Sequence, residues 1–225
     1  PALMMVDGVS SIGSMPFEFT GWGVDIAVAG SQKGFMLPAG LAIVGMSPKA
    51  LACMEHATLP RTYFDLHDQQ KGYAAGAYPY TPPVGLINGL AKAVEMLEDE
   101  GLDAVYARHR RLAEGVRRAV AAWGLELCAV SPDLYSDTVT TVVAPDGFDG
   151  TAVVQLAAEK YGVAFGVGLG EVAGKVFRIG HLGMLSDVMM LSGLATVEMV
   201  MADLGWPITL GSGVAAAQDY YRQSA

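Results

Sequence analysis

Residues 26–34 read Ile26-Ala27-Val28-Ala29-Gly30-Ser31-Gln32-Lys33-Gly34, an apolar run of strand length followed by a glycine- and serine-rich turn that carries a lysine. A second run, Leu3-Met4-Met5-Val6, ends on Asp7, 26 positions before Lys33. A third spans residues 40–46. Short apolar stretches bounded by Gly, Ser and Pro fit strands covered on both faces, alternating with loops and short helices. The pattern predicts part of an α/β sheet. A lysine just past such a strand sits in a pocket, and an acid ending the neighbouring run converges on it.

Taken singly, Lys33 also reads as a solvent-facing residue, and Asp7 as a turn or capping acid. Taken together they are the pair that pyridoxal phosphate (PLP) chemistry needs. The amine bonds the cofactor's aldehyde carbon, and the acid keeps the pyridine nitrogen protonated so that the ring accepts electrons.

Four segments stand in order along the chain: Asp7-Gly8-Val9-Ser10-Ser11, Gly30-Ser31-Gln32-Lys33-Gly34, Tyr78-Pro79-Tyr80-Thr81-Pro82 and Gly174-Lys175-Val176-Phe177-Arg178-Ile179-Gly180. From residue 1 to about residue 205 the chain resembles the class V aminotransferases, in the alanine/serine–glyoxylate branch of bacterial serine– or aspartate–glyoxylate type. The resemblance implies an α/β protein of PLP-dependent transferase fold type I. Residues 1–100 are expected to be the C-terminal part of a large PLP-binding domain, 101–205 a small α+β domain, and 206–225 a tail. Proteins of this kind carry a further stretch before this point, with a phosphate loop and a ring-stacking aromatic. Neither is found in this sequence, so the chain is expected to be the C-terminal part of a longer polypeptide.

The resemblance also implies roles. The expected reaction moves an amino group from an L-amino acid (serine, aspartate or alanine) to glyoxylate, giving glycine and a 2-oxo acid. Lys33 is the catalytic residue and holds the cofactor. Asp7 faces the pyridine nitrogen, Val9 a ring face, and Gln32 the phosphate. Tyr78 and Thr81 reach the phosphate from a partner subunit, which implies a homodimer with shared active sites. Without the resemblance these two also read as a ligand-free turn. Arg178, inside an apolar strand, is either an internal salt bridge or a fork for a carboxylate; the resemblance makes it the substrate α-carboxylate clamp. His181 is a further candidate for the same cleft. Arg61 and Tyr63 either shape donor specificity or lie on a surface. Met184 replaces a common acid. Two other readings stay open: a class V lyase of cysteine desulfurase type, and an inactive binding module on the same fold. Against the first, Gly34 follows Lys33 and Ser31-Gln32 precede it, where desulfurases carry a histidine beside the lysine.

Net charge is −9 and no basic run reaches five residues, so nucleic acid is not an expected partner. Apolar stretches are broken by Gly, Pro or charge well before 18 residues, so no membrane span is expected and a cytoplasmic location is. Cys53 and Cys128 lack metal-ligand spacing and read as buried reduced thiols; no metal is expected.

Ser47 and Pro48 open a helix to about residue 56. Residues 58–82 are rich in Tyr, Pro and Gly and read as a long irregular segment that carries function or an interface. Pro82 and Pro83 open a helix to about 99. Leu102, Val105, Tyr106, His109, Leu112, Val116, Val120 and Trp123 form the apolar stripe of a helix over 102–123, which puts His109 in a satisfied interior position and five arginines on a solvated face. Strands are expected at 125–130, 138–144, 163–167 and 175–180, and helices at 150–161 and 186–204. Residues 206–225 are expected to wrap a neighbour or fray.

Overall fold

A computed structural model describes residues 2–224. They divide into two compact units, Pro1–Gly101 and Leu102–Ala225.

In the first unit, β1 (Met5–Asp7), β2 (Ile26–Gly30) and β3 (Ala42–Met46) form one sheet in that order. β1 runs parallel to β2, with Asp7 opposite Val28, and β3 runs antiparallel to it, with Ala42 opposite Gly30. The expectation of strands covered on both faces is met only by the central β2. β1 and β3 are edge strands among the described residues and stay largely exposed. Asp25, buried just before β2, fastens the opposite end of this sheet. Its carboxylate accepts from the Met4 N–H (2.9 Å), the Ser47 hydroxyl (2.8 Å) and the Lys49 ammonium (2.7 Å). The hydrogen bond from Lys49, then those from Met4 and Ser47, pull its pKa down to about 2. Ser47 also caps α1 (Pro48–Met54), accepting from the Ala50 N–H at 3.1 Å.

The segment expected to be irregular contains a helix, α2 (Leu66–Ala74), capped by Asp65 through the His67 N–H at 2.9 Å. α2 buries no residue, so it has no apolar stripe to betray it. α3 (Val84–Glu100) ends at Gly101, whose φ of 82° is open to glycine at little cost.

The second unit runs α4 (Leu102–Ala122), β4 (Val139–Val143), α5 (Gly150–Tyr161), β5 (Gly166–Val167), β6 (Val176–Gly180), α6 (Asp187–Asp203) and α7 (Ser212–Gln223). Its sheet is antiparallel, in the order β4-β6-β5. The strand expected at 125–130 shrinks to a bridge between Leu127 and Val142, flanked by Cys128 N–H to Thr141 O and Val143 N–H to Glu126 O, each 2.9 Å. Cys128 and Val130 are exposed there, and the chain then turns into a 3-10 turn at Pro132–Leu134, so nothing extends the pairing.

The helices cover one face of this sheet. Phe177 and Ile179 of β6 and Val142 of β4 pack with Val116, Leu194 and Met201. Residues 206–224 are not a tail. α7 seats Ala217 and Tyr221 in this core, and the Tyr221 hydroxyl donates to Leu112 O at 2.8 Å. A Cβ at Gly115 would overlap the Tyr221 ring, so glycine is required where α7 crosses α4. Arg111 of α4 ties α6 through a bidentate pair with Asp187 (2.6 and 2.8 Å) and α7 through a bond to Tyr221 O (2.7 Å).

His109 is buried and satisfied, as the stripe predicted. Its Nε2 accepts the Gly183 N–H at 3.0 Å, so Nδ1 carries the proton donated to Val105 O at 2.7 Å. The α4 arginines pair with acids: Arg117 and Arg118 with Glu114, Arg110 and Arg117 with Asp137. Glu198 is a buried carboxylate inside the apolar α6. It accepts from Trp123 Nε1 (2.8 Å) and from the N–H groups of Gly211 (2.6 Å), Gly213 (2.7 Å) and Val214 (3.1 Å), which closes the N-terminus of α7.

Candidate active site

Parallel strands place their carboxyl ends side by side, where ligand sites of open α/β sheets form. Here β1 ends on Asp7, and Gly8 N–H still donates to Val28 O of β2 at 2.9 Å. The chain then turns, with Ser11 and Ile12 N–H both bonded to Gly8 O. One carboxylate oxygen of Asp7 accepts the Val9 N–H at 3.0 Å; the other has no partner among the described residues.

β2 ends at Gly30, and Ser31 locks the loop that follows. The Ser31 hydroxyl, fully buried, donates to Pro38 O (2.8 Å) and accepts from the Leu41 N–H (3.1 Å). The turn holding Lys33 is pressed onto the loop after Asp7. A Cβ at Gly34 would overlap Ile12 O and stand 2.9 Å from Ser14 Oγ. A Cβ at Gly30 would stand 3.0 Å from Gln32 Oε1 and 3.2 Å from Val9 Cγ1. Asp7, Val9, Gln32 and Lys33 therefore lie at, or in the loops just past, the carboxyl ends of β1 and β2. The Lys33 ammonium has no hydrogen bond or ion pair among the described residues and is half-buried. Met36, whose N–H bonds to Lys33 O at 2.9 Å, adopts a left-handed φ of 60°. Such a conformation is rare for a side chain of this type and marks a constrained turn. Nothing in the sequence around Met36 signalled it.

Tyr78 and Thr81 lie exposed between α2 and α3, with no hydrogen-bond partner among the described residues. Arg61 is occupied locally: Nε pairs with Asp65 at 3.1 Å and Nη1 donates to Ala57 O at 3.2 Å. Tyr63 has a left-handed φ of 63° and packs its ring against Phe64 and Tyr80, with centroids 5.2 and 5.1 Å away.

Arg178 lies in the second unit, in the middle of β6. Its direct cross-strand neighbours are Thr141 on β4 and Gly166 on β5. The internal salt bridge that the residue types allow is not formed: no carboxylate pairs with Arg178 among the described residues. Nε is buried and without a hydrogen-bond partner. His181 does not share the face of Arg178. Its ring is fully buried on the Thr140 side, with Nε2 2.8 Å from Thr140 Oγ1 and Nδ1 3.1 Å from Asp137 O. A carbonyl only accepts, so Nδ1 is protonated and the Thr140 hydroxyl donates to Nε2.

A cavity of about 270 Å³ beside β4 is lined by Arg117, Cys128, Tyr135 and Thr141, but Arg117 is already paired with Glu114 and Asp137. The two cysteines are free thiols. Cys53 is half-buried and Cys128 exposed, which corrects the expectation that both are buried. Among the described residues no cluster of His, Cys, Asp and Glu could hold a metal ion, and no helix is long and apolar enough to cross a membrane.

The pattern of the family described as aminotransferase class-V matches residues 1–181. The chain belongs to the class-V aminotransferases. It is 67% identical over 224 residues to an L-aspartate–glyoxylate aminotransferase of Paracoccus denitrificans, covering all of this chain and 57% of that protein. It is 52% identical over 229 residues to a serine–glyoxylate aminotransferase of Methylorubrum extorquens, again covering all of this chain and 57% of the relative. The solved pyridoxamine–pyruvate aminotransferase of Mesorhizobium loti superposes with a TM-score of 0.91 at 36% identity, over the whole of this chain and 58% of that one. The chain thus has the fold of the class-V aminotransferases within PLP-dependent fold type I, and it spans somewhat over half the length of the relatives it matches.

Proposed function

We propose that the chain carries the PLP site of an aminotransferase that moves an amino group from an L-amino acid to glyoxylate. The observation that carries this reading is the placement of Asp7 at the end of β1 and of Lys33 in the turn after parallel β2, a turn pressed onto the loop after Asp7, with the Lys33 ammonium unpaired and one Asp7 oxygen free among the described residues.

The residues present fit the cofactor. Asp7 keeps an acceptor for a ring N–H while its other oxygen is held by the Val9 backbone. The glycine at position 30 lets Val9 and Gln32 crowd the strand end. When bound, PLP supplies an electron sink for the bonds broken at the amino acid's Cα. Lys33 Nζ would hold the cofactor at its aldehyde carbon and would move the proton at the substrate's Cα. Asp7 would keep the proton on the pyridine nitrogen by its negative charge. Gln32, with Tyr78 and Thr81 from a second subunit, donates to the phosphate. Arg178 takes the α-carboxylate, which amino donors and glyoxylate share, so it does not select among serine, aspartate and alanine. The names of the relatives favour aspartate and serine as donors. A homodimer and a cytoplasmic setting belong to the same reading.

The test is a donor panel with glyoxylate, run on the full-length protein, with Lys33→Ala as control. The purified protein supplied with PLP is expected to absorb in the visible and to form glycine. Lys33→Ala is expected to lose both properties. A wild-type protein that stays colourless and inert with every donor would overturn the reading. Dimer sharing is checked by mixing Lys33→Ala with a Tyr78→Ala, Thr81→Ala variant, since one intact site returns only if the two subunits build it together.

A further inference from the structure

We propose that Gly166 is a positioning residue for Arg178: by lacking a side chain it forms the slot in which the guanidinium lies. This rests on the reading of Arg178 as the carboxylate-binding residue. The two residues are direct cross-strand partners, Gly166 on β5 and Arg178 on β6. Side chains of such partners project from the same face of a sheet and stand side by side. A Cβ built at Gly166 would stand 3.0 Å from Arg178 Nε, 3.1 Å from its Cβ and 3.5 Å from its Cζ. The arginine side chain thus occupies the space that any other residue at 166 would fill. On its other flank stands Thr141, which has a full side chain. The row Thr141–Arg178–Gly166 is open on one side only, and the guanidinium leans into that opening.

The backbone of Gly166 does not demand glycine. It is not among the residues with positive φ, and it sits in a strand, where β-branched residues are favoured. The reason for glycine is therefore the space it leaves. Nε is closed off against this wall and has no partner, while the terminal nitrogens also lack a protein partner among the described residues. The fork is left with its terminal N–H groups to offer a carboxylate. A fork recognises a carboxylate bidentately only in one plane and at one distance, so a lateral push is felt as lost affinity.

The experiment is a graded series in the holoenzyme: Gly166→Ala, Gly166→Val, Arg178→Lys, Arg178→Ala, and each Gly166 change combined with each Arg178 change. KM and kcat are measured for donor and glyoxylate, along with the affinity for a non-reacting monocarboxylate such as propionate and the visible spectrum. Gly166→Ala moves the guanidinium by tenths of an ångström and is expected to raise KM and the propionate Kd roughly fivefold; Gly166→Val is expected to raise them about a hundredfold. The cofactor spectrum and kcat should hold within about a factor of three in Gly166→Ala. In the Arg178→Lys and Arg178→Ala backgrounds the Gly166 changes should add little, since neither background has a guanidinium to displace. Equal effects of Gly166→Val with and without the guanidinium overturn the proposal. So does wild-type propionate affinity in a folded Gly166→Val while Arg178→Ala is weakened. Wild-type affinity in Arg178→Ala overturns instead the assignment of Arg178 itself. If Gly166→Val does not fold, the Gly166→Ala and Arg178→Lys pair alone decides.

Discussion

The hydroxyl of Thr140 donates to Nε2 of His181 across 2.8 Å, both residues buried, just past the end of β6, the strand that bears Arg178. Burial, above all, lowers the pKa of this ring to about 4, and the nearby charge of Arg117 and the coupling to His109 add to it, against the opposing bond to Asp137 O. In the unfolded chain the same ring titrates near 6.5. As pH falls the unfolded chain takes up this proton first. The contribution to stability is whole above about pH 6.5, drains between 6.5 and 4, and is gone below. It amounts to roughly 3 kcal/mol. Thermal melts at pH 7 and pH 4.5 should therefore differ more for the wild type than for His181→Asn. Identical pH slopes in the two proteins would place the acid lability elsewhere.

On the proposed assignment, Arg178→Ala would leave the substrate carboxylate without its bidentate partner. That should cost about 2–5 kcal/mol of binding, or about a hundredfold or more in catalytic efficiency with donor and glyoxylate alike. The cofactor absorbance should persist, because Arg178 is not among the residues assigned to hold it. Arg178→Lys should recover part of the loss, since an ammonium lacks the fork. Steady-state kinetics beside an absorbance spectrum check both halves.

Asp7→Asn keeps the shape of the side chain and its bond to the Val9 N–H but removes the charge. Rates should fall by about two to three orders of magnitude, as when one preorganised electrostatic group is lost, while PLP remains bound through Lys33. Single-turnover measurements of proton loss from Cα, made with deuterated donor, locate the defect. Full activity in Asp7→Asn would remove Asp7 from the chemistry.

Glu198 answers four donors at once, so its loss strands Trp123 Nε1 and the first N–H groups of α7. Glu198→Ala should destabilise the second unit by more than about 3 kcal/mol. Glu198→Gln, which retains one acceptor oxygen, should lose less. Melting temperatures rank the two. A melt of Glu198→Ala equal to the wild type would show that water replaces the carboxylate without cost.

Elements with a strong apolar period were legible in the sequence. α5 was expected over the residues it occupies, and α4 and β6 to within a residue or so, because Val116, Val120, Phe177 and Ile179 must face a core. α2 escaped because it buries nothing, and only its Asp65 cap announced it. α7 was read as a tail because Pro207 and Gly211 precede it and Gly213 stands in its first turn; its buried Ala217 and Tyr221 take their meaning from Gly115 on a distant helix, a relation no local pattern contains. Among the candidate site residues, Asp7 and Lys33 could be paired because each ends an apolar run. His181 was misplaced because its spacing from Arg178 says nothing about which side of the strand end it turns to. Glu198, a lone charge among apolar neighbours in α6, went unread in the sequence, because the donors that satisfy it lie in other elements.

The Asp25 junction sits at the starts of the same strands whose far ends carry Asp7 and Lys33. Fastening and chemistry are thus separated by one strand's length. For protein engineering this marks out two territories in the first unit. Around Met4, Asp25, Ser47 and Lys49, substitutions can be screened for robustness to heat and acid without touching the reactive end. Around Gly8, Gly30 and Gly34, where even a methyl group finds little or no room, libraries built for a new substrate have the least freedom.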